Sequence, residues 1–209
     1  MGTVVAVLNP KGGSGKSTLA TNLARAFQLA GRSVLVVDLD PQGTATDWKR
    51  QEPDGAGLPG VIQILDAKTL DRDLDQLGAG FDVVVMDGSA KVERLTGAAI
   101  KASDLVLIPV RPSPADLWGV ADLVAAVHRT GTTAAFVISQ QVAGTVLAAE
   151  MEDALDALDL PVLDGRTGNR QAYAQAMAAG LSVLDYEPTG KASDEVRAIA
   201  AEVLDALSL

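Results

Sequence analysis

Short β-branched and aliphatic runs alternate along this chain with longer stretches in which apolar positions recur every three or four residues. The first run, Thr3–Leu8 (TVVAVL), reads as a strand buried on both faces. A glycine-rich segment, Asn9–Lys16, follows it. Ser17–Leu29 then places Leu19, Leu23, Ala26 and Phe27 at helical spacing, and Gly31 stands where a glycine ends a helix. Further strands are expected at Ser33–Asp38, Phe81–Met86, Asp104–Val110 and Thr133–Ser139, with a short one at Pro161–Leu163. Between them, helices are expected at Thr44–Gln51, Ala90–Ala102, Pro114–Arg129 (proline in its first turn), Thr145–Leu158 and Arg170–Ala179. Glu52–Gly60 reads as a loop, and Val61–Leu77 as one or two irregular helices. A last helix, Ser193–Leu207, takes Ser193 as its N-cap with Asp194 and Glu195 in its first turn. This order predicts an α/β fold, a mostly parallel sheet flanked by helices on both faces. No linker, repeat or low-complexity tract interrupts it, so residues 1–209 read as a single domain.

Composition narrows the chemistry. Apolar residues make up 48% and charged residues 21%, which excludes a disordered chain. The net charge of −10 excludes bulk electrostatic attraction to nucleic acid, so any such contact needs a local basic patch. The absence of cysteine excludes disulfides, thiolate metal sites, iron–sulfur clusters and a cysteine nucleophile. The single histidine, His128, reads as a partner for a helix C-terminus. Trp48 and Trp118 read as packing residues. No apolar run approaches the ~20 residues of a membrane span, and the N-terminus lacks a basic leader, so a cytoplasmic protein is expected.

The segment Asn9-Pro10-Lys11-Gly12-Gly13-Ser14-Gly15-Lys16-Ser17-Thr18 sits between the first strand and the first helix. Glycines there let backbone N–H groups turn inward around phosphate oxygens, and the helix N-terminus adds partial positive charge. Lys16 can reach the β- and γ-phosphates, and the Ser17 hydroxyl can ligate Mg²⁺. The dinucleotide fingerprint fails because Thr18 stands at its third glycine. The ordinary phosphate-loop pattern also departs at its first position, where Pro10 replaces glycine, and a second lysine, Lys11, precedes the glycine pair.

Lys11-Gly12-Gly13-x-Gly15-Lys16-Ser17 resembles the deviant Walker A motif of the ParA/MinD family of ATPases. Asp38-Leu39-Asp40-Pro41-Gln42-Gly43, Val83-Val84-Val85-Met86-Asp87 and Tyr186-Glu187-Pro188 resemble later motifs of the same family. Because the chain opens directly on its first strand, it resembles the short ParA type, without an N-terminal DNA-binding extension. The resemblance implies ATP and Mg²⁺ as cofactors, bound through Lys11, Gly12, Gly13, Ser14, Gly15, Lys16, Ser17 and Thr18. Asp38 or Asp87 would stand in the inner or second shell of the metal. Asp40 would orient or activate the attacking water, and Lys11 would cross a dimer interface to the phosphates of the partner subunit. Catalysis would thus rest on Lys11, Lys16 and Asp40. The adenine would lie between the Pro109–Pro114 loop, with Pro112 and Ser113, and the Ser139-Gln140-Gln141 segment. No guanine-specific motif is present, which favours ATP over GTP.

ParA relatives bind double-stranded DNA without sequence preference as ATP-bound homodimers, associate with the nucleoid, and hydrolyse ATP slowly until a ParB-like or adaptor protein stimulates them. Their cargo can be a plasmid, a chromosome region or a large protein assembly. Residues 130–165 hold no lysine or arginine, which leaves Arg166, Arg170, Lys191 and Arg197 as candidate DNA contacts, with Arg170 equally able to face the nucleotide or the interface. MinD relatives bind membranes through a basic C-terminal helix. Here the apolar stripe Val196, Ile199, Val203, Leu204 and Leu207 is flanked by Asp194, Glu195, Glu202 and Asp205, with Arg197 the one basic residue, so no membrane partner is expected. A MinD-like regulator or a metabolic ATP-dependent enzyme is the alternative.

Overall fold

The computed structural model describes residues 2–90, 93–142, 151 and 153–209. Six parallel strands form one sheet: β1 (Thr3–Val7), β2 (Val34–Asp38), β3 (Gly60–Gln63), β4 (Val83–Asp87), β5 (Leu105–Val110) and β6 (Ala134–Ile138), in the spatial order β3-β2-β4-β1-β5-β6. Helices surround it: α1 (Lys16–Leu29), α2 (Thr44–Arg50), α3 (Ala67–Gly78), α4 (Glu93–Ala102), α5 (Pro114–Thr130), α6 (Gln171–Ala178), α7 (Val183–Tyr186) and α8 (Lys191–Ala206).

The continuous apolar strands follow from burial on both faces. Along β1, Val4 and Ala6 join one core layer with α3, α4 and α5, through Leu70, Leu74, Leu95, Ile100, Leu123 and Val127. Val5 and Val7 join the other with α1, α6, α7 and α8, through Leu23, Phe27, Ala176, Val183, Val196, Ile199 and Val203. No helix among the described residues is long and apolar enough to cross a membrane.

Register positions the chemistry. Val7, Asp38 and Asp87 stand side by side at the carboxyl ends of β1, β2 and β4, and Val110 faces Ile138 at the ends of β5 and β6. The loops that leave these five strands therefore gather along one edge of the sheet, where parallel α/β folds place their ligands.

Several expectations are corrected. Val61–Leu77 is not all helix: Gly60–Gln63 pairs with Leu35–Asp38 as the edge strand β3. The helix waits until Asp66, whose carboxylate accepts from the Thr69 N–H and caps α3. Backbone pairing to β2 outweighs the helix-like density of apolar residues there. Pro161–Leu163 makes a single bridge, Val162 to Phe136, rather than a strand. Ser193 is not the N-cap of the last helix, which begins after Gly190; its buried hydroxyl instead donates to the carbonyls of Val183 and Glu187. Trp48 is packed, 2% exposed, with its indole N–H on the Leu181 carbonyl, but Trp118 is 80% exposed on α5. His128 lies in the last turn of α5, as expected, 3.4 Å from the Leu158 carbonyl. The expected helix over Thr145–Leu158 lies partly outside the described residues, and residues 153–156 are helical.

The helix that starts at the glycine-rich loop is anchored by a buried amide. Asn22 on α1 accepts from the Ser182 hydroxyl (3.0 Å) and the Val183 N–H (2.9 Å) and donates to the Thr18 carbonyl (2.7 Å). Asn22→Ala leaves two buried donors without an acceptor and is expected to lower unfolding stability by about 2 kcal/mol. Urea unfolding followed by circular dichroism measures this, and an unchanged midpoint would show the amide to be dispensable.

Candidate nucleotide site

The loop after β1 is shaped by its own polar side chains. Asn9 is buried; its amide donates to the Pro109 carbonyl (2.7 Å) and its oxygen accepts the Lys11 N–H (2.7 Å). Gly13 and Gly15 adopt positive φ (74° and 92°), which a side chain would strain. Gly15 stands at the N-cap of α1, and no side chain caps that terminus. The first turn of α1 therefore presents N–H groups to whatever anion enters. Two side chains from the end of β6 brace the loop from behind: the Ser139 hydroxyl donates to the Ser14 carbonyl and the Gln140 amide to the Gly13 carbonyl, each at 2.8 Å.

Lys16 is only 7% exposed, and its ammonium donates to the Lys11 carbonyl at 2.9 Å. Burial lowers its pKa, while the charges of Asp87 and Asp40 oppose that. Asp87, at the end of β4, is wholly buried and neither carboxylate oxygen has a hydrogen-bond partner. Burial pushes its pKa up to about 7; the nearby Ser17 hydroxyl and Lys16 charge pull it down, and the charge of Asp38 pushes it further up. A buried carboxylate without a partner is costly unless a cation joins it. Together with the Ser17 hydroxyl it fits Mg²⁺, which takes one or two protein oxygens and completes its shell with water and phosphate.

Asp38 is differently placed. One oxygen accepts the Asp40 N–H (3.0 Å) and the other accepts both the N–H and the hydroxyl of Thr46 (2.9 and 2.8 Å). It holds the Asp40 turn and the start of α2. Asp40 accepts the Gln42 N–H on its carboxylate (2.9 Å), while its carbonyl accepts the Gln63 amide (3.1 Å) from β3.

A cleft of about 390 Å³ brings together Gly12, Gly13, Gly15, Lys16, Ser17, Thr18, Asp40 and Gln140. A second cavity of about 470 Å³ adjoins it and shares Gly15, Thr18 and Gln140. Its further wall is Thr167–Arg170 and Tyr173, with Leu19, Val137 and Val196 among its apolar lining. Ser139 and Gln140 thus line it, whereas Pro112 and Ser113 line neither cavity. They lie on the loop leading into α5, where Arg111 pairs with Asp116 at 2.9 and 3.0 Å. Of the segment Thr167–Tyr173, the sequence pointed only to Arg170 as able to face the nucleotide; Thr167, Gly168, Asn169 and Tyr173 carried no signal of their place in the cavity wall.

Lys11 lies along α5, its stem over Gly119, where a methyl group would collide with it. The four candidate DNA contacts are distributed around the C-terminal elements. Arg170 at the N-cap of α6 pairs with Glu195, and Arg197 pairs with Asp194 (3.1 Å) and donates to the Pro188 carbonyl (2.6 Å). Arg166 donates to the Asp164 carbonyl (3.1 Å), and Lys191 opens α8 at an exposed position.

Comparison with known proteins agrees with this geometry. The maintenance of carboxysome distribution protein A of Halothiobacillus neapolitanus is 32% identical over 210 residues, covering 96% of this chain and 95% of that one. The chromosome-partitioning ATPase Soj of Thermus thermophilus is 28% identical over 235 residues, covering 96% and 94%. Among solved structures, the cell division ATPase MinD of Pyrococcus furiosus superposes with a TM-score of 0.84 at 20% identity, over 99% of this chain and all of that one. The model of the CobQ/CobB/MinD/ParA nucleotide binding domain matches residues 5–183. With the sheet order, the uncapped glycine loop and its two lysines, this settles the family: the chain is a CobQ/CobB/MinD/ParA nucleotide-binding domain.

Proposed function

We propose that this chain is a ParA-type ATPase that dimerises on ATP, binds double-stranded DNA without sequence preference, and positions a cargo through hydrolysis stimulated by a partner protein. The observation that carries the reading is the phosphate cleft, where an uncapped helix N-terminus and the buried Lys16 meet, with the buried Asp87 carboxylate close enough for its charge to act on that lysine. The names of two relatives, a carboxysome distribution protein and a chromosome-partitioning ATPase, support positioning as the task.

Phosphoryl transfer to water calls mostly for positioning and charge stabilisation. The N–H groups of Gly12–Thr18 hold the phosphate oxygens. Lys16 gives up its bond to the Lys11 carbonyl and turns to the β- and γ-phosphates. A Mg²⁺ ion held by Ser17 and Asp87 would supply further neutralisation of the phosphate charge. Asp38 keeps the Asp40 turn in place, and Asp40 accepts a hydrogen bond from the attacking water. Lys11, on the face of α5, is supplied to the site of a second copy, so the cleft is electrostatically complete only in a dimer. The base occupies the adjoining cavity against Gln140 and the Thr167–Tyr173 wall. Lys191, Arg166 and Arg197, doubled in the dimer, meet DNA phosphates, while the C-terminal helix, with Val196, Ile199 and Val203 in the core, is not available to a membrane.

Binding and chemistry separate in two variants. Lys16→Ala is expected to abolish ATP binding, whereas Asp40→Ala keeps binding and lowers turnover by about 10²-fold or more. Isothermal titration beside a phosphate-release assay distinguishes them, and equal turnover in Asp40→Ala would remove that residue from the mechanism.

DNA binding tests the larger reading. The wild type is expected to bind duplex DNA with ATP but not with ADP or without nucleotide, and to lose that binding steeply as salt rises. Lys11→Ala is expected to stay monomeric in Mg-ATP and to lose both DNA binding and hydrolysis. Absence of DNA binding in every nucleotide state would overturn the DNA part, and full activity as a monomer would overturn the dimer.

A further inference from the structure

Glu195 stands on α8, outside both cavities, yet its carboxylate collects the cavity wall. One oxygen accepts the Gly168 N–H (3.0 Å) and the Tyr173 hydroxyl (2.9 Å); the other accepts the Arg170 Nε–H (2.7 Å) and completes an ion pair with the same guanidinium. Gly168, Arg170 and Tyr173 all line the 470 Å³ cavity. The opposite edge of this segment is tied to the end of β6. The Thr167 N–H donates to the Ile138 carbonyl (3.0 Å), and the Asn169 N–H donates to the Gln141 carbonyl (3.0 Å). The wall is thus a short irregular segment held from both sides, by backbone at β6 and by one carboxylate at α8. The surroundings of Glu195 are largely closed: its side chain is 17% exposed and Tyr173 is buried, with its phenol pushed well above its ordinary pKa by burial and by the Glu195 charge.

We propose that Glu195 is a positioning residue for the base cavity, setting the placement of Gly168, Arg170 and Tyr173 and through them the preference for a nucleoside triphosphate over a bare triphosphate. This rests on the reading that the cavity takes the base. The physical argument is one of satisfied donors. Without the carboxylate, the Gly168 N–H loses its acceptor, the Tyr173 hydroxyl keeps only the longer bond to the Ala192 carbonyl (3.2 Å), and Arg170 loses its paired carboxylate. All three residues line the cavity, so a displacement of any of them in search of a new partner changes its shape. The phosphate cleft shares none of these three residues, so a ligand that occupies the cleft alone is unaffected.

The test compares Mg-ATP with magnesium tripolyphosphate, which has the charge but no nucleoside, by equilibrium binding. Wild type is expected to prefer ATP. Glu195→Ala is expected to weaken ATP by about tenfold, the equivalent of one unsatisfied buried donor, and to leave tripolyphosphate unchanged. Glu195→Gln, which keeps one acceptor oxygen, and Tyr173→Phe, which removes one donor, should each fall between, and they carry the same comparison if the alanine variant does not fold. Equal weakening of both ligands would show a merely structural role and overturn the proposal, as would unchanged ATP affinity. A wild type that binds tripolyphosphate as tightly as ATP would instead remove the base-cavity reading itself.

Discussion

The structure depends on one constraint: a sheet edge at which parallel register brings Asp38, Asp87 and the start of the glycine loop to the same level. Parallel strands buried on both faces leave no solvent beneath that edge, so the charges placed there must find partners within the protein or in a ligand. Asp38 finds them in Thr46 and the Asp40 N–H, and becomes architecture. Asp87 finds none, and its pKa rises toward 7. Lys16 settles for the Lys11 carbonyl. Two carboxylates paired in register thus take opposite fates, one completing a turn and one left for a cation. The difference on the Asp38 side is the loop after β2, whose Asp40 N–H and Thr46 N–H and hydroxyl close on its carboxylate.

The same edge explains how two neighbouring cavities can serve one ligand. Gln140, at the end of β6, takes part in both: its amide holds the Gly13 carbonyl, and its backbone N–H reaches the Thr167 hydroxyl at 3.2 Å. Its φ of 53°, unusual for a side-chain-bearing residue, is what turns the chain so that both contacts form. Phosphate loop and cavity wall therefore meet at one residue, so one ligand can span both.

Much of this was legible because it is local. The glycine loop, its lysines and the helix after it are consecutive residues whose spacing carries the chemistry, and the doubly buried strands announce themselves as unbroken apolar runs. What was not legible depends on contacts distant in sequence. β3 is a strand only because β2 lies beside it. Ser193 looks like a cap but is drawn under α7 by the Val183 and Glu187 carbonyls. The cavity wall at Thr167–Tyr173 is held on one side by the end of β6 and on the other by Glu195 of α8, and no spacing along the chain links residue 168 to residue 195. Glu195 and Glu202, read from sequence as a solvent-facing acidic edge, instead accept backbone N–H groups at 164, 165 and 168.

That last reassignment bears on how an acidic chain could hold DNA. Among the candidate cations, Arg170 and Arg197 are paired with carboxylates on α8, and an arginine already neutralised by a neighbour releases few counterions from a phosphate. A single copy therefore offers DNA a weak patch set in a field of net charge −10. On the proposed reading this weakness is functional. If one copy bound appreciably, nucleotide could not gate the interaction. When two weak patches are joined rigidly, the second contact forms at high effective concentration, so affinity rises steeply with dimerisation and falls as steeply on hydrolysis. On that reading, pairing the arginines with glutamate and aspartate would keep the monomer below the threshold, and the switch would lie in assembly rather than in any change of the basic surface.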